Sequence, residues 1–389
     1  VKGCNVVLEE LDAVTGSADD KARLRGEALA LRGYYYFMLV NLFAQPYNAP
    51  GIDVYATPGV PLVLSSGVLD IFPARASVGA VYDQVEKDLL EAAALLSRHG
   101  QFKSRFKASD LFAYMLLSRM YLYMERWPLA IAYADSVIDR RPGLLNLASV
   151  TPKPTSTNNS NTVNVYSSSS PEVIWTFSRT HATSATGEYY SFFFLSRANS
   201  AMLPPYTVSR ELVDLYDHDP TFLANTGDLR PWMFYTKYIY PASGQYVLYY
   251  GNKFGSLSVD QLGGKGLRVA EAYLNRAEAR AREGMTREAL DDLNFLRRHR
   301  HADGYADVQL ADIPGGNLLQ FCLDERRREL AFEEHRWFDL RRLGMPPIKH
   351  VFYGETQNVP REITIPAERY LFPFSRAVLE RNPGLVPNP

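Results

Sequence analysis

The chain has 389 residues, enough to bury a sizeable core without disulfide or metal staples. Its 42 Lys and Arg stand against 43 Asp and Glu, so it lacks the basic surplus that binding of nucleic acid by counterion release demands. No run of 18 or more apolar residues occurs, so no segment reads as a transmembrane helix.

The first section, to about residue 145, is helical by pattern. Ala, Leu, Glu and Arg dominate, and apolar residues recur at three and four over 5 to 13, 18 to 44, 77 to 97, 108 to 124 and 127 to 140. Between the second and third helices lies QPYNAPGIDVYATPGVPLVL, a Pro and Gly loop too long for a mere connector. The opening Val1-Lys2-Gly3-Cys4 has no hydrophobic stretch before it, and CNVVLEEL reads as the middle of a helix in a chain that begins late. Cys4 and Cys322 fit no zinc or disulfide spacing and read as buried thiols.

The second section, roughly 146 to 263, is polar and aromatic. TPKPTSTNNSNTVNVYSSSSPE is low in complexity and reads as a surface excursion, while EVIWTF and QYVLYYGN read as short strands. Aromatic clusters follow: YYSFFF, WMFYTKYIY and YVLYY. The third section, 264 to 345, returns to helices: LRVAEAYLNRAEARARE, TREALDDLNFLRRHR and FCLDERRRELAFEEHRWFDLRRLGM. The last, 346 to 389, holds eight prolines and is expected to wrap over the surface.

Two helix pairs carry repeat signatures. Ser118, Tyr121, Ala130, Ala134 and Pro142 fall at tetratricopeptide spacings, where small residues let antiparallel helices approach. Ala277 and Ala289 repeat the twelve-residue step, with Gly284 at the turn. The expectation is a mainly α fold of tetratricopeptide-like pairs, with an irregular insert holding a few short strands. One domain, 1–389, is expected to contain an amino-terminal helical region 1–145, a variable aromatic-rich insert 146–263 and a carboxy-terminal region 264–389.

From Asp324 to Arg342 the chain packs six acids and six arginines into nineteen residues. Leu319, Leu323, Leu330, Trp337 and Leu340 keep a three, four and seven rhythm, which predicts one helix with an apolar stripe. The charges are then expected to pair along solvated flanks: Asp324 and Glu325 with Arg328, Arg326 with Glu329, Glu333 with Arg336, Asp339 with Arg342. Gly344, Pro346 and Pro347 supply the stop.

No metal or cofactor is expected. Glu333-Glu334-His335 lacks the second histidine that a zincin helix needs, and His299-Arg300-His301 reads as a helix end. DHDPTFLANTGD, from Asp217, places Phe222 where a calcium loop requires glycine. There is no GxSxG elbow, no P-loop and no GxGxxG after a strand, so catalysis is not expected. A glycosidase carboxylate pair leaves no sequence signature and would have to be sought by assay. The aromatic residues carry the functional expectation, because ring faces stack on the C–H faces of sugars while amides and charges bond the hydroxyls. Trp175 reads as core; Tyr47, Tyr55, Tyr189 and Tyr190, beside Gly, Pro, Asn and Asp, read as the exposed ones.

Seven ordered segments also resemble a family. LRGEALALRGYYYFMLVNLFAQPYN, GVPLVL, SVGAVYDQVEKDLLEAAALL and ASDLFAYMLLSRMYLYMERWPLAIAYADSVI are similar to the amino-terminal region of SusD/RagB nutrient-binding lipoproteins of Bacteroidetes. LRVAEAYLNRAEARAREG, LDERRRELAFEEHRWFDLRRLG and YLFPFSRAVLERNPGLVPNP are similar to its carboxy-terminal region. The resemblance implies a non-catalytic binder of oligosaccharide at the cell surface, held to the outer membrane by a lipid anchor that this chain lacks. It also implies a SusC-like TonB-dependent transporter as partner, and it places Asn48 with Tyr47 in a ligand-contacting loop. Peptide binding of the RagB kind is the alternative ligand class, and an intracellular tetratricopeptide adaptor the alternative system. The variable middle, 150 to 260, matches no particular ligand class.

Overall fold

A computed structural model of the chain describes residues 1–67, 72–100, 104–150, 165–166, 170–177, 208–217, 227–239, 246–250, 265–353 and 360–388. The low-complexity stretch beyond Val150, most of the DHDPTFLANTGD segment, and both Tyr189 and Tyr190 lie outside them. In chain order the elements are α1 Lys2–Glu10, α2 Ala18–Phe43, β1 Pro58–Pro61, β2 Arg75–Ser77, α3 Val78–His99, α4 Asp110–Tyr123, α5 Trp127–Ile138, β3 Val173–Phe177, α6 Arg210–Val213, α7 Arg230–Phe234, β4 Tyr235–Ile239, β5 Tyr246–Tyr250, β6 Lys265–Arg268, α8 Val269–Arg282, α9 Thr286–Arg298, α10 Leu318–Glu329, α11 His335–Arg342, β7 Ile348–Tyr353, β8 Pro360–Ile365 and α12 Arg376–Arg381. The fold is mainly helical, and its strands pair two by two in antiparallel: β1 with β2, β3 with β6, β4 with β5, β7 with β8.

Helix starts follow local chemistry. Ser17, Ser77 and Ser109 accept from the backbone N–H of Asp20, Ala80 and Phe112, satisfying donors that a first helical turn leaves orphaned. The chain forms two compact units: Val1–Phe102, Ala108–Arg126 and Glu334–Pro389 in one; Lys103–Lys107 and Trp127–Glu333 in the other.

In the first unit α2 packs against α3, which packs against α4. Gly26 and Gly33, seven apart on α2, let α3 come close; a Cβ on Gly26 would sit 2.8 Å from Leu96 Cγ, and one on Gly33 3.1 Å from Leu89 Cδ2. Arg32 crosses that seam to Asp88, with two 2.7 Å bonds, and donates to Asn5 Oδ1. The whole of α4 from Leu111 to Tyr123 except Tyr114 is buried, as a helix apolar on every side must be. Beyond α11 the proline-rich tail holds the antiparallel β7–β8 pair, which proline content and spacing did not announce. Tyr370, wholly buried, stacks on Trp337 with centroids 4.7 Å apart.

The second unit contains α8 packed on α5, α9 and α10. Ala277 and Ala289 are fully buried, and Gly284 turns the chain between α8 and α9 at a φ of +76° that suits glycine. A separate core gathers Tyr166, Val173, Val213, Tyr216, Leu229, Phe234 and Tyr235. Trp175 is buried, as expected, and so are the thiols of Cys4 and Cys322.

The charged segment 321–345 departs most from expectation. It is two helices and not one: Phe332 and Glu334 take positive φ of 63° and 67°, so the chain breaks between α10 and α11. Of the forecast apolar stripe, Leu319 and Leu323 are only half-buried, while Glu325, Arg326, Arg328, Glu329 and Glu333 are buried. The forecast pairs Glu325–Arg328 and Asp339–Arg342 form, at 2.9 and 3.0 Å. The other bonds of these carboxylates run far along the chain. Glu329 Oε1 accepts from Arg268 at 2.6 Å and Arg300 at 3.0 Å, and its Oε2 from Arg300 at 2.9 Å and Arg230 at 3.2 Å. Glu333 takes both arms of Arg268, at 2.7 and 2.6 Å, and the Tyr166 hydroxyl at 2.6 Å. Glu172 bridges Arg268 and Arg300; Asp228 chelates Arg230. Glu325 bonds Arg297 and Arg328 through Oε2, while its Oε1 lies 2.7 Å from Arg230 in an ionic contact without good hydrogen-bond alignment. His301, beyond the end of α9, is buried against Arg297.

Removing one partner from such a network strands the others in low dielectric. Glu329→Ala should cost about 3–5 kcal/mol, read as a lowered urea midpoint. Burial opposes ionisation of Glu325 and Glu329, yet the surrounding arginines hold both carboxyls well below the usual range. A depressed carboxylate stabilises fully above its unfolded pKa and loses that contribution as pH falls through the folded value. Denaturant stability should therefore decline below about pH 4.5, and the decline should be shallower in the Glu329→Ala variant.

Candidate functional site

The site is built on the loop between α2 and β1. Asp53 organises it: Oδ1 accepts from Tyr55 N at 2.9 Å, and its carbonyl accepts from Ala56 N and Thr57 N at 3.1 and 2.8 Å. The loop is then sewn to the start of α3, where Val78 N donates to Thr57 O at 2.9 Å and Gly79 N to Val54 O at 2.8 Å. These are first-turn amides that the helix itself cannot satisfy.

Tyr55, 59% exposed, has its ring beside the first turn of α3 and its hydroxyl 3.3 Å from Asp83 Oδ1. The Asp83 charge pushes that hydroxyl above the usual tyrosine range; burial and Tyr47 add to it and Arg126 opposes. Tyr47 is half-buried, its ring 4.8 Å from that of Tyr82. Asn48 donates from Nδ2 to Glu125 Oε1 at 2.7 Å and to the Arg342 carbonyl at 2.8 Å. With both amide hydrogens engaged, what Asn48 offers a ligand is its Oδ1 acceptor. Glu125 itself sits at a φ of 60°, a left-handed conformation that re-aims its side chain at the end of α4. Glu86 accepts from the buried Tyr121 hydroxyl and lies 4.0 Å from Arg126 Nη1.

The loop is held from α11. Arg341, buried, donates to the carbonyls of Ala44 and Tyr370, and burial brings its pKa down to about 10. Arg341 and Arg342 thus anchor both the start of the loop and its Asn48 turn.

The structure brings Tyr47, Asn48 and Tyr55 into one loop; Tyr189 and Tyr190 lie outside the described residues. Asp83, Glu86, Glu125 and Arg126 escape the sequence reading, because isolated charges on helices look like any solvated flank. The arrangement pairs aromatic rings with carboxylate and amide acceptors. It can stack on C–H faces and accept from hydroxyls. Asn48→Ala should lower stability by about 1 kcal/mol, seen in thermal melts, by removing the hydrogen bonds to Glu125 and the Arg342 carbonyl.

A SusD-like family model described as starch-binding and associating with the outer membrane matches residues 1–122, and the SusD family model matches 265–389. SusD-like protein P2 of Formosa agariphila is 32% identical over 127 residues, covering 31% of this chain and about a quarter (24%) of its own length. A Bacteroides vulgatus protein, described provisionally as sugar-binding, has a crystal structure that superposes with a TM-score of 0.75 at 26% identity, over 99% of this chain and 82% of its own. A SusD superfamily protein of Bacteroides thetaiotaomicron shares the fold with a TM-score of 0.74 at 23% identity, over 100% and 83%. Two models of one family in their proper order at the two ends of the chain, and superposition along nearly all of it, place this protein in the SusD/RagB family.

Proposed function

We propose that the protein binds oligosaccharide at the cell surface, without catalysis, and delivers it to a SusC-like TonB-dependent transporter. Tyr47, Asn48, Tyr55, Tyr189 and Tyr190 are its ligand contacts in this reading, and a lipid anchors it to the outer membrane. The observation that carries the reading is Tyr55: a large ring, 59% exposed, on a loop fixed by backbone bonds to α3, with Asp83 at its hydroxyl and Tyr47 alongside. An exposed aromatic ring held this firmly has little conformational freedom left to lose when a partner covers it, which favours binding. Sugars suit it, having apolar C–H faces for the ring and hydroxyls for Asp83, Glu86 and Asn48 Oδ1. The starch-binding, outer-membrane description of the matching family model agrees, as does the sugar-binding description of the Bacteroides vulgatus relative. Among the described residues no helix is long and apolar enough to cross a membrane, and the reading calls for none.

Replacing Tyr47, Tyr55, Tyr189 and Tyr190 together by alanine should abolish retention on a glycan array, while Tyr55→Ala alone should weaken the retained glycans about tenfold. If the quadruple variant bound every oligosaccharide as the wild type does, these contacts would be wrong. A peptide library run in parallel separates glycan from peptide binding. Co-purification with the transporter from detergent extracts, lost on omitting that protein, tests delivery.

A further inference from the structure

We propose that Gly79 is a positioning residue for the ligand surface, setting the Tyr55 ring by having no side chain of its own; this rests on the reading of Tyr55 as a ligand contact. Gly79 is the second residue of α3, behind the Ser77 cap. Its backbone is ordinary helix, without the positive φ that would call for glycine, and glycine is the poorest helix former after proline. The helix therefore gives no reason for it. The surroundings do. A Cβ built there would stand 2.6 Å from both Cδ1 and Cε1 of Tyr55, closer than real Cβ atoms come, and 3.1 Å from its Cγ, a tight contact.

The Tyr55 ring consequently fills the volume that a side chain at Gly79 would take. Two further bonds hold it: Gly79 N donates to Val54 O, immediately before Tyr55, and the Tyr55 hydroxyl reaches Asp83 one turn further along α3. Gly79 at one end and Asp83 at the other fix where the ring lies on the helix, with much of it still open to solvent. Ordering the ring in the unbound protein removes an entropy cost from binding. Because the crowded atoms belong to an exposed side chain and not to backbone, a methyl at position 79 should displace the ring and leave the helix intact.

The test uses the full chain carrying 3-fluorotyrosine, with the Tyr55 resonance assigned by its absence from a Tyr55→Phe variant. In Gly79→Ala the Tyr55 fluorine signal should move toward the free-tyrosine position while the thermal midpoint stays level or rises. Affinity is measured by calorimetry for maltoheptaose, cellohexaose, xylohexaose and mannohexaose. Gly79→Ala should lose about as much as Tyr55→Ala, on the order of tenfold, and the double variant no more than either. An unmoved Tyr55 resonance in Gly79→Ala overturns the proposal, as does a double variant whose losses add, and either leaves the ligand reading standing if Tyr55→Ala weakens binding. Unchanged affinity in Tyr55→Ala overturns the ligand reading and this proposal together.

Discussion

Glu329 has no exposed surface, and its two oxygens are shared among Arg230, Arg268 and Arg300. Each of those guanidinia is fully or almost fully buried and needs a carboxylate, since an isolated ion in the interior costs several kcal/mol. Glu172, Asp228, Glu325 and Glu333 supply the remaining negative charge. The segments so joined are β3, the turn before α7, the junction of β6 and α8, the end of α9, and α10. None of these could take a different register without leaving a charge unpaired. Apolar side chains would tolerate small slips, whereas bidentate guanidinium–carboxylate geometry does not. The described strands of this unit are short and pair only two by two, so little sheet is there to align them, and such a constraint matters the more.

The other unit uses the same chemistry more sparingly. Arg32 and Asp88 cross the seam between α2 and α3, and Arg341 caps carbonyls at the end of α2 and near Tyr370. The conformation of the loop between α2 and β1 follows directly from these anchors. Its start is held by Arg341, its middle by Asn48 against the Arg342 carbonyl, and its end by the amides of α3. A loop made rigid by buried polar groups can present an exposed ring in one place, which a loop held only by apolar contacts would do less well.

Much of this was legible in advance, for reasons that particular residues make plain. Apolar residues recurring at three and four mark helices because that spacing makes one face, and the stretches 18 to 44, 77 to 97 and 108 to 124 read that way are occupied by α2, α3 and α4. Small residues at Ala277 and Ala289 forecast close helix packing, and both are fully buried. The loop carrying Tyr47, Asn48 and Tyr55 could be picked out from its glycines and prolines. The charged segment was misread because spacing reveals only partners three or four residues away. Glu325–Arg328 and Asp339–Arg342 were foreseeable on that basis; Glu329 with Arg268, at a separation of 61 residues, was not.

By itself, then, the amino-acid order determined what depends on neighbours along the chain: helix positions and caps, turns at glycine and proline, the helical-pair architecture and the family. Tertiary structure alone decided what depends on residues far apart in sequence. It turned twelve clustered charges from a solvated flank into two helices, the first giving Glu325 and Glu329 to a buried ion network. It also brought Asp83 and Gly79 of α3 to the side of Tyr55. The physical reason is the same in both cases. A charge or a glycine looks alike in sequence whether it faces water or another side chain, and burial, the quantity that distinguishes them, exists only once the chain has folded.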